Sequence, residues 1–393
     1  MKVLIFEWKN FGIEDVCEAL DKLGVSHRCI STQLVRERKS TEFDSLFEDA
    51  LTERYDCVFT FNYSPVVSNC CRRHNLPYIA FIYDSPLVSL YSYTVINPCN
   101  YIFIFDKTLY LELKNQGIST VYYAPLAVNT SRIKRQLSVN ETNGAAEAHA
   151  PDFSAEVAFV GSMYNEKHNL FDRFKNLPPY VTGYLDAIMQ AQLKVYGYYF
   201  IEELLTPNII DELKKSVPLE PNKDGVETVS YLYAYYFIAR KLAELERKDL
   251  LNAVSERFST HLYTQNPTPE LPKVKNCGPI DYYNHMPYIF SQSKINLNIT
   301  LRSIRSGIPL RAMDIMGCGG FLLSNYQADF YDFFVPGEEL VLFESRDDLL
   351  DKCAYYLSHE KERCQIAANG LGRIQESHTY EIRLKQMFET VFN

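Results

Sequence analysis

The feature that most limits the fold is a series of short, wholly apolar runs, each followed by residues at helical spacing. Residues 3–6 read Val-Leu-Ile-Phe; Ile13, Val16, Cys17, Leu20 and Leu23 then recur on one helix face, ahead of Gly24. A glycine just past the last apolar position is a helix stop. Further apolar runs stand at 57–61, 78–83, 101–105 and 121–123, and again at 156–160, 260–264, 295–299, 321–324 and 339–343. Continuous apolar strands alternating with helices specify parallel sheets covered on both faces, an α/β class.

The 393 residues suit two such domains in tandem. The polar and small-residue stretch 131–155, ending near Pro151, predicts a linker between domains spanning 1–130 and 156–375. Helical patterning over about 169–257 predicts an insertion in the second domain, with a tyrosine-rich segment at 231–237. Tyr380, Leu384, Met387, Phe388 and Val391 give the last helix, within 376–393, an apolar stripe expected to pack back on the first domain.

Several function classes drop out. A net charge of −9 argues against a polymeric nucleic-acid partner. The ten cysteines form no C-x-x-C pair, so zinc and thioredoxin-like readings lack support, and the expectation is reduced thiols in a cytoplasmic protein with no metal. The N-terminal apolar run is too short for a signal peptide, and no stretch reaches the ~18 apolar residues of a membrane helix. Neither G-x-G-x-x-G nor G-x-x-x-x-G-K-[ST] occurs, which disfavours dinucleotide oxidoreductases and P-loop phosphotransferases.

Ligands in open parallel sheets bind beyond the carboxyl ends of the strands. In the first domain those ends carry Glu7, Asn62, Asp84 and Asp106; in the second they carry Gly161-Ser162, Thr264, Asn298 to Thr300 and Ser324-Asn325. Any one of these polar groups serves equally as a helix cap. Gly161 would let backbone N–H groups approach a phosphate. The richest stretch is 301–320, where Arg302, Arg305 and Arg311 cluster in an acidic chain and Gly319-Gly320 closes a short helix. Arginine forks match phosphate oxygens, and Asp314, three residues after Arg311, could hold a ribose diol or simply pair with that arginine. Tyrosines such as Tyr164, Tyr282 and Tyr283 can stack on a ligand, though core packing is the commoner use of tyrosine.

These residues resemble the CgeB-like, spore-maturation type glycosyltransferases of the GT-B class, with their associated N-terminal domain, over nearly the whole chain. The likeness rests on residues 6–12, 61–65, 83–86, 103–106 and 125–129, and on 159–165 and 307–321. It implies two Rossmann-like domains facing across a cleft, in a bacterial, cytoplasmic transferase. It implies a nucleotide-sugar donor, UDP-sugar favoured, held by the second domain, and a glycan or protein acceptor on the first. Asp314 matches the second glutamate of the broader GT-B donor motif and Lys167 its diphosphate lysine, while Ser306 and Ser162 replace the other glutamate and the neighbouring arginine.

The expected chemistry is metal-independent glycosyl transfer, with Lys167, Arg302, Arg305, Arg311 and the N–H groups near Gly161 stabilising the departing diphosphate. Ser162, Tyr164, Tyr282, Asp314 and Gly319 complete the expected donor site. An inverting reaction needs a base for the acceptor hydroxyl, with Asp84 first and Asp106 and Glu7 behind it. Two rivals remain at this level: an idle GT-B homologue partnering another transferase, and a sugar-nucleotide epimerase. A homodimer is compatible with the sequence.

Overall fold

The computed structural model describes residues 1–9, 11–142, 152–167 and 169–393, without the side chains of 139–142. The chain divides into two compact units, the first made of Met1–Asn129, Pro221–Glu227 and Ser377–Asn393, the second of Thr130–Glu220 and Thr228–Glu376.

Unit 1 is a six-stranded parallel sheet: β1 (Lys2–Glu7), β2 (Ser26–Ser31), β3 (Cys57–Phe61), β4 (Tyr78–Phe81), β5 (Asn100–Ile104) and β6 (Val121–Tyr123), in the order β2-β1-β3-β4-β5-β6. The apolar runs are these strands because both faces are covered: Leu4, Phe6, Val58, Ala80 and Ile102 pack on Phe43, Phe47, Val67 and Leu109 from the intervening helices. β2 was not legible as a strand. Its sequence, Ser-His-Arg-Cys-Ile-Ser, is polar because it lies at the sheet edge, where it stays partly exposed. The last helix (Tyr380–Phe392) packs on the first helix (Ile13–Lys22), where Lys22 bonds Glu381 at 2.9 Å. The excursion Pro221–Glu227 joins this unit through Tyr93 N–H to the Asp224 carbonyl (2.8 Å) and Arg38 to the Asp224 carboxylate (3.0 Å).

Unit 2 repeats the plan with β7 (Val157–Val160), β8 (Thr260–Tyr263), β9 (Lys275–Asn276), β10 (Ile295–Asn298), β11 (Leu322–Asn325) and β12 (Val341–Phe343), all parallel, in the order β12-β11-β10-β7-β8-β9. The chain order reverses between β7 and β10. Crevices at such reversals are where open α/β sheets bind ligands. The unit begins with a helix, Thr130–Thr142, over residues expected to be linker; the middle of that predicted linker, 143–151, lies outside the described residues. The helix is held by its own unit: Tyr288 donates to the Gln136 carbonyl at 2.9 Å, a contact that local composition does not reveal.

Between β7 and β8 the chain forms a helical group with its own core, from Val181, Leu185, Tyr199, Leu213, Tyr233 and Leu242. The tyrosine-rich segment Tyr233–Ile238 is a π-helical turn running into the helix Ala239–Ser255. Its tyrosines are structural. The Tyr233 hydroxyl donates to the Val217 carbonyl at 2.5 Å and that of Tyr199 to the Ala234 carbonyl at 2.6 Å, so each buried ring keeps its polar tip bonded. No helix among the described residues is long and apolar enough to cross a membrane.

Candidate active site

The loop after β7, 161–167, and the loop after β10, 299–306, flank the reversal in unit 2. One side chain unites them. Arg247, from the helix Ala239–Ser255, donates through Nη1 to the Ser162 carbonyl and through Nη2 to the Ile299 carbonyl at 2.7 Å. Its guanidinium also lies over the Tyr164 ring, 4.8 Å from the centroid, and 5.2 Å from that of Phe159. Arg247 is buried, and desolvation pushes its pKa down. A Cβ at Gly161 would press on the Phe159 ring at 3.2 Å and stand in ordinary contact with the Arg247 fork at 3.6 Å.

The first loop closes on itself. Gly161 N–H bonds the Tyr263 carbonyl (3.1 Å), Met163 N–H the Asn266 side chain (2.8 Å) and Tyr164 N–H the Ser162 hydroxyl (2.9 Å). Of the N–H groups expected near a phosphate, these three have protein partners, that of Gly161 continuing the ladder to β8, and Tyr164 sits at φ +56°. The Ser162 hydroxyl bonds Glu166 at 2.8 Å, so it shapes the same turn. Lys167 follows it, exposed at the surface, and Arg240 lies 6.0 Å over the Tyr164 ring, also exposed.

The expected role of Arg302 is corrected. Its Nε and Nη2 bond the Glu246 carboxylate at 3.1 and 2.7 Å, Nη1 and Nη2 reach the carbonyls of Val195 (2.9 Å) and Leu193 (3.3 Å), and the guanidinium stacks 3.4 Å over Tyr196. Both members of the pair are buried, which places Arg302 in the fold's interior and not on a diphosphate. Arg305, three residues on, is only partly buried. Sequence reading missed Glu246 and Arg247 because they lie mid-helix, 56 and 52 residues from the partners they meet after β10.

The second cluster gathers on the helix Leu310–Gly317. Tyr282 donates to Asp314 Oδ1 at 3.0 Å, and Arg311 Nη1 lies 3.6 Å from Asp314 Oδ2. The Asp314 side chain is 4% exposed and that of Arg311 30%; the Arg311 guanidinium also donates to Met286 Sδ and lies 5.6 Å over the Phe290 ring, so it is only partly open above a buried carboxylate. Tyr283 stacks edge-on to Tyr282 (5.0 Å) and covers the Arg132 guanidinium at 4.8 Å. Gly319 holds φ +72° just past the end of this helix, the position where a glycine stops it. Beside it, Gly320 admits no Cβ, which would stand 2.6 Å from the Phe290 carbonyl.

In unit 1 the strand ends differ sharply in character. Asn62, at φ +58°, accepts the N–H groups of Tyr83 and Asp84 (2.9 and 3.0 Å) and donates to Asp84 Oδ2 at 2.7 Å. Asp84 is exposed by its surface area, yet the chain packed around its carboxyl raises the pKa above the ordinary value, against the lowering effect of the Asn62 bond. Asp106 is wholly buried and caps the next helix, accepting Leu109 N–H at 3.2 Å; its expected role as a base is corrected to a helix cap. Glu7 ends β1, where its carbonyl accepts Thr32 N–H at 2.9 Å.

Residues 240–389 match the family model described as glycosyl transferase-like. Solved structures align over the whole chain. The sucrose-phosphate synthase of Thermosynechococcus elongatus aligns at 10% identity and TM-score 0.53, covering 100% of this chain and 99% of that one. A UDP-forming α,α-trehalose-phosphate synthase from Burkholderia xenovorans aligns at 11% identity and TM-score 0.53, covering 100% and 98%. The T4 phage BGT, solved with its UDP-glucose substrate, aligns at 10% identity and TM-score 0.51, covering 100% of both chains. The chain has the GT-B fold, and its residues 240–389 are similar to a glycosyl transferase-like domain. No curated protein matches it. The matched segment of this GT-B chain starts at Arg240 and takes in Glu246, Arg247, the loop after β10 and the Arg311–Asp314 helix. The CgeB-like subtype, expected from the motifs, is not distinguished by that match.

Proposed function

We propose that this protein is a glycosyltransferase that moves sugar from a UDP-sugar to a hydroxyl of a glycan or protein, without a metal ion. The observation that carries the reading is the β7/β10 reversal of unit 2. There Lys167 and Arg240 are exposed and Arg311 is partly so, while Arg247 and Arg302 are bound internally, and all of these but Lys167 lie in the segment that matches a glycosyl transferase-like domain. Side-chain cations at this crevice would stabilise charge on the departing diphosphate. Tyr282 offers a ring for the base, held by Asp314. UDP is favoured because one aligned structure is described as UDP-forming and another holds UDP-glucose. The CgeB-like subtype and a cytoplasmic location rest on the sequence motifs alone.

For the acceptor, Asp84 is the proposed base. It is exposed after β4 and held by the Asn62 amide at 2.7 Å, whereas Asp106 is buried and committed to its helix. The test is thermal stability with UDP, GDP and related nucleotides, followed by release of free nucleotide from a panel of nucleotide sugars. UDP is expected to raise the midpoint, as any ligand of the folded state does. If no nucleotide shifts it and no sugar nucleotide is consumed, the idle-homologue reading replaces this one. Interconversion of sugar nucleotides without an acceptor would point to an epimerase instead.

A further inference from the structure

We propose that Cys17, His27 and Cys29 in unit 1 form a binding site for a thiophilic divalent cation, zinc being the ion whose geometry they suit. Each of the three offers one ligand atom, and those atoms lie within 4.8 Å of one another. The juxtaposition follows from the fold. Cys17 and Asp21 are four apart on the helix Ile13–Lys22 and share a face. His27 and Cys29 are two apart on β2 and so project from one side of the sheet. Gly24, at φ +68°, turns the chain from helix to strand and lays the two pairs against each other.

The distances suit a metal better than a disulfide. The two Sγ atoms are 3.3 Å apart and both cysteines are free thiols. A disulfide needs ~2.05 Å. Tetrahedral zinc with bonds of about 2.3 Å to sulfur places two thiolates roughly 3.8 Å apart, a small opening from what is seen. His27 Nδ1 stands 3.6 Å from Asp21 Oδ1, and Asp21 is largely exposed. The fourth position thus falls to Asp21 or to water. Two thiolates and an imidazole select zinc over magnesium or calcium. Binding exchanges one cation for the two thiol protons, so it weakens as pH falls.

None of the four residues belongs to the proposed donor site or to the acid assigned as base, so the test reads binding, not turnover. Reduced full-length protein, with Cys277→Ser and Cys364→Ser to silence exposed thiols, is titrated with Co2+ and then Zn2+. One equivalent of Co2+ should give sulfur-to-cobalt charge-transfer absorption and tetrahedral visible bands, and Zn2+ should displace it. Cys17→Ser and Cys29→Ser should each weaken binding at least tenfold. His27→Gln, which leaves both thiols in place, should weaken binding while keeping the charge-transfer band. Far-ultraviolet circular dichroism checks that each variant is folded. The proposal is overturned by the absence of thiolate-to-cobalt absorption, by its persistence in the Cys17→Ser/Cys29→Ser double variant, or by a Cys17–Cys29 disulfide in protein kept under reductant.

Discussion

The hydroxyl of Tyr282 donates to Asp314 Oδ1 at 3.0 Å, 32 residues away in sequence, while the other oxygen of the same carboxylate lies 3.6 Å from Arg311 Nη1. The aspartate is therefore a positioning residue for two groups that can touch a donor. Removing Arg311 deletes a charge-assisted contact to phosphate, which is typically about 1.5–3 kcal/mol. Arg311→Ala should weaken UDP binding on the order of ten- to a hundredfold by calorimetry, and Asp314→Asn should weaken it less, through Tyr282. Wild-type affinity in Arg311→Ala would remove this helix from the donor site.

Arg302 and Glu246 form a two-point buried pair, at 2.7 and 3.1 Å. Deleting one partner leaves an uncompensated buried charge, at a cost of about 3–5 kcal/mol. Glu246→Ala should lower stability by that order in urea unfolding. A variant that unfolds at the wild-type urea midpoint yet no longer binds UDP would return Arg302 to the donor site.

Arg247 ties the Ser162 and Ile299 carbonyls together with a planar fork that lysine lacks. Arg247→Lys keeps the charge but gives up one carbonyl contact and the stacking on Tyr164. Stability should fall by roughly 1–3 kcal/mol. Because both loops border the proposed crevice, the KM for donor should rise as well. An unchanged KM with lowered stability would confine Arg247 to a purely structural role.

Asp84 and Asp106 separate by function. Asp84→Asn should lower kcat with little loss of stability. The raised pKa of Asp84 means the proposed base loses its proton at a higher pH than an ordinary aspartate, so activity should climb with pH through a limb displaced upward. Asp106→Ala should cost about 1 kcal/mol as a lost helix cap while the folded fraction still turns over. A flat pH profile with normal kcat in Asp84→Asn would eliminate it as the base.

Gly320→Ala would place a methyl 2.6 Å from the Phe290 carbonyl and 2.8 Å from Asn296 Nδ2. Neither neighbour is the loose end of a side chain: one is backbone and the other donates to that same carbonyl at 2.9 Å. Overpacking of this kind costs typically about 1–3 kcal/mol, measurable as a lowered unfolding midpoint. An alanine variant as stable as wild type would show that the helix end shifts freely.

The sequence alone determined the α/β class, the positions of the buried strands and where the glycine-stopped helices end. Apolar runs and the spacing of core residues are local patterns, and a strand buried on both faces must display one. β2 escaped because an edge strand need not be apolar, and the helix Thr130–Thr142 escaped because what holds it lies about 150 residues away. The site divided the same way. Gly161, Arg311 and Asp314 stood out by their position after strands and by their spacing. Which arginine faces outward and which is consumed by the interior was decided only in three dimensions, because Glu246 and Arg302 become partners through packing and not through sequence proximity. The same is true of Cys17, His27 and Cys29: no sequence spacing marks them as ligands, and it is a helix laid against an edge strand that brings two thiols within 3.3 Å.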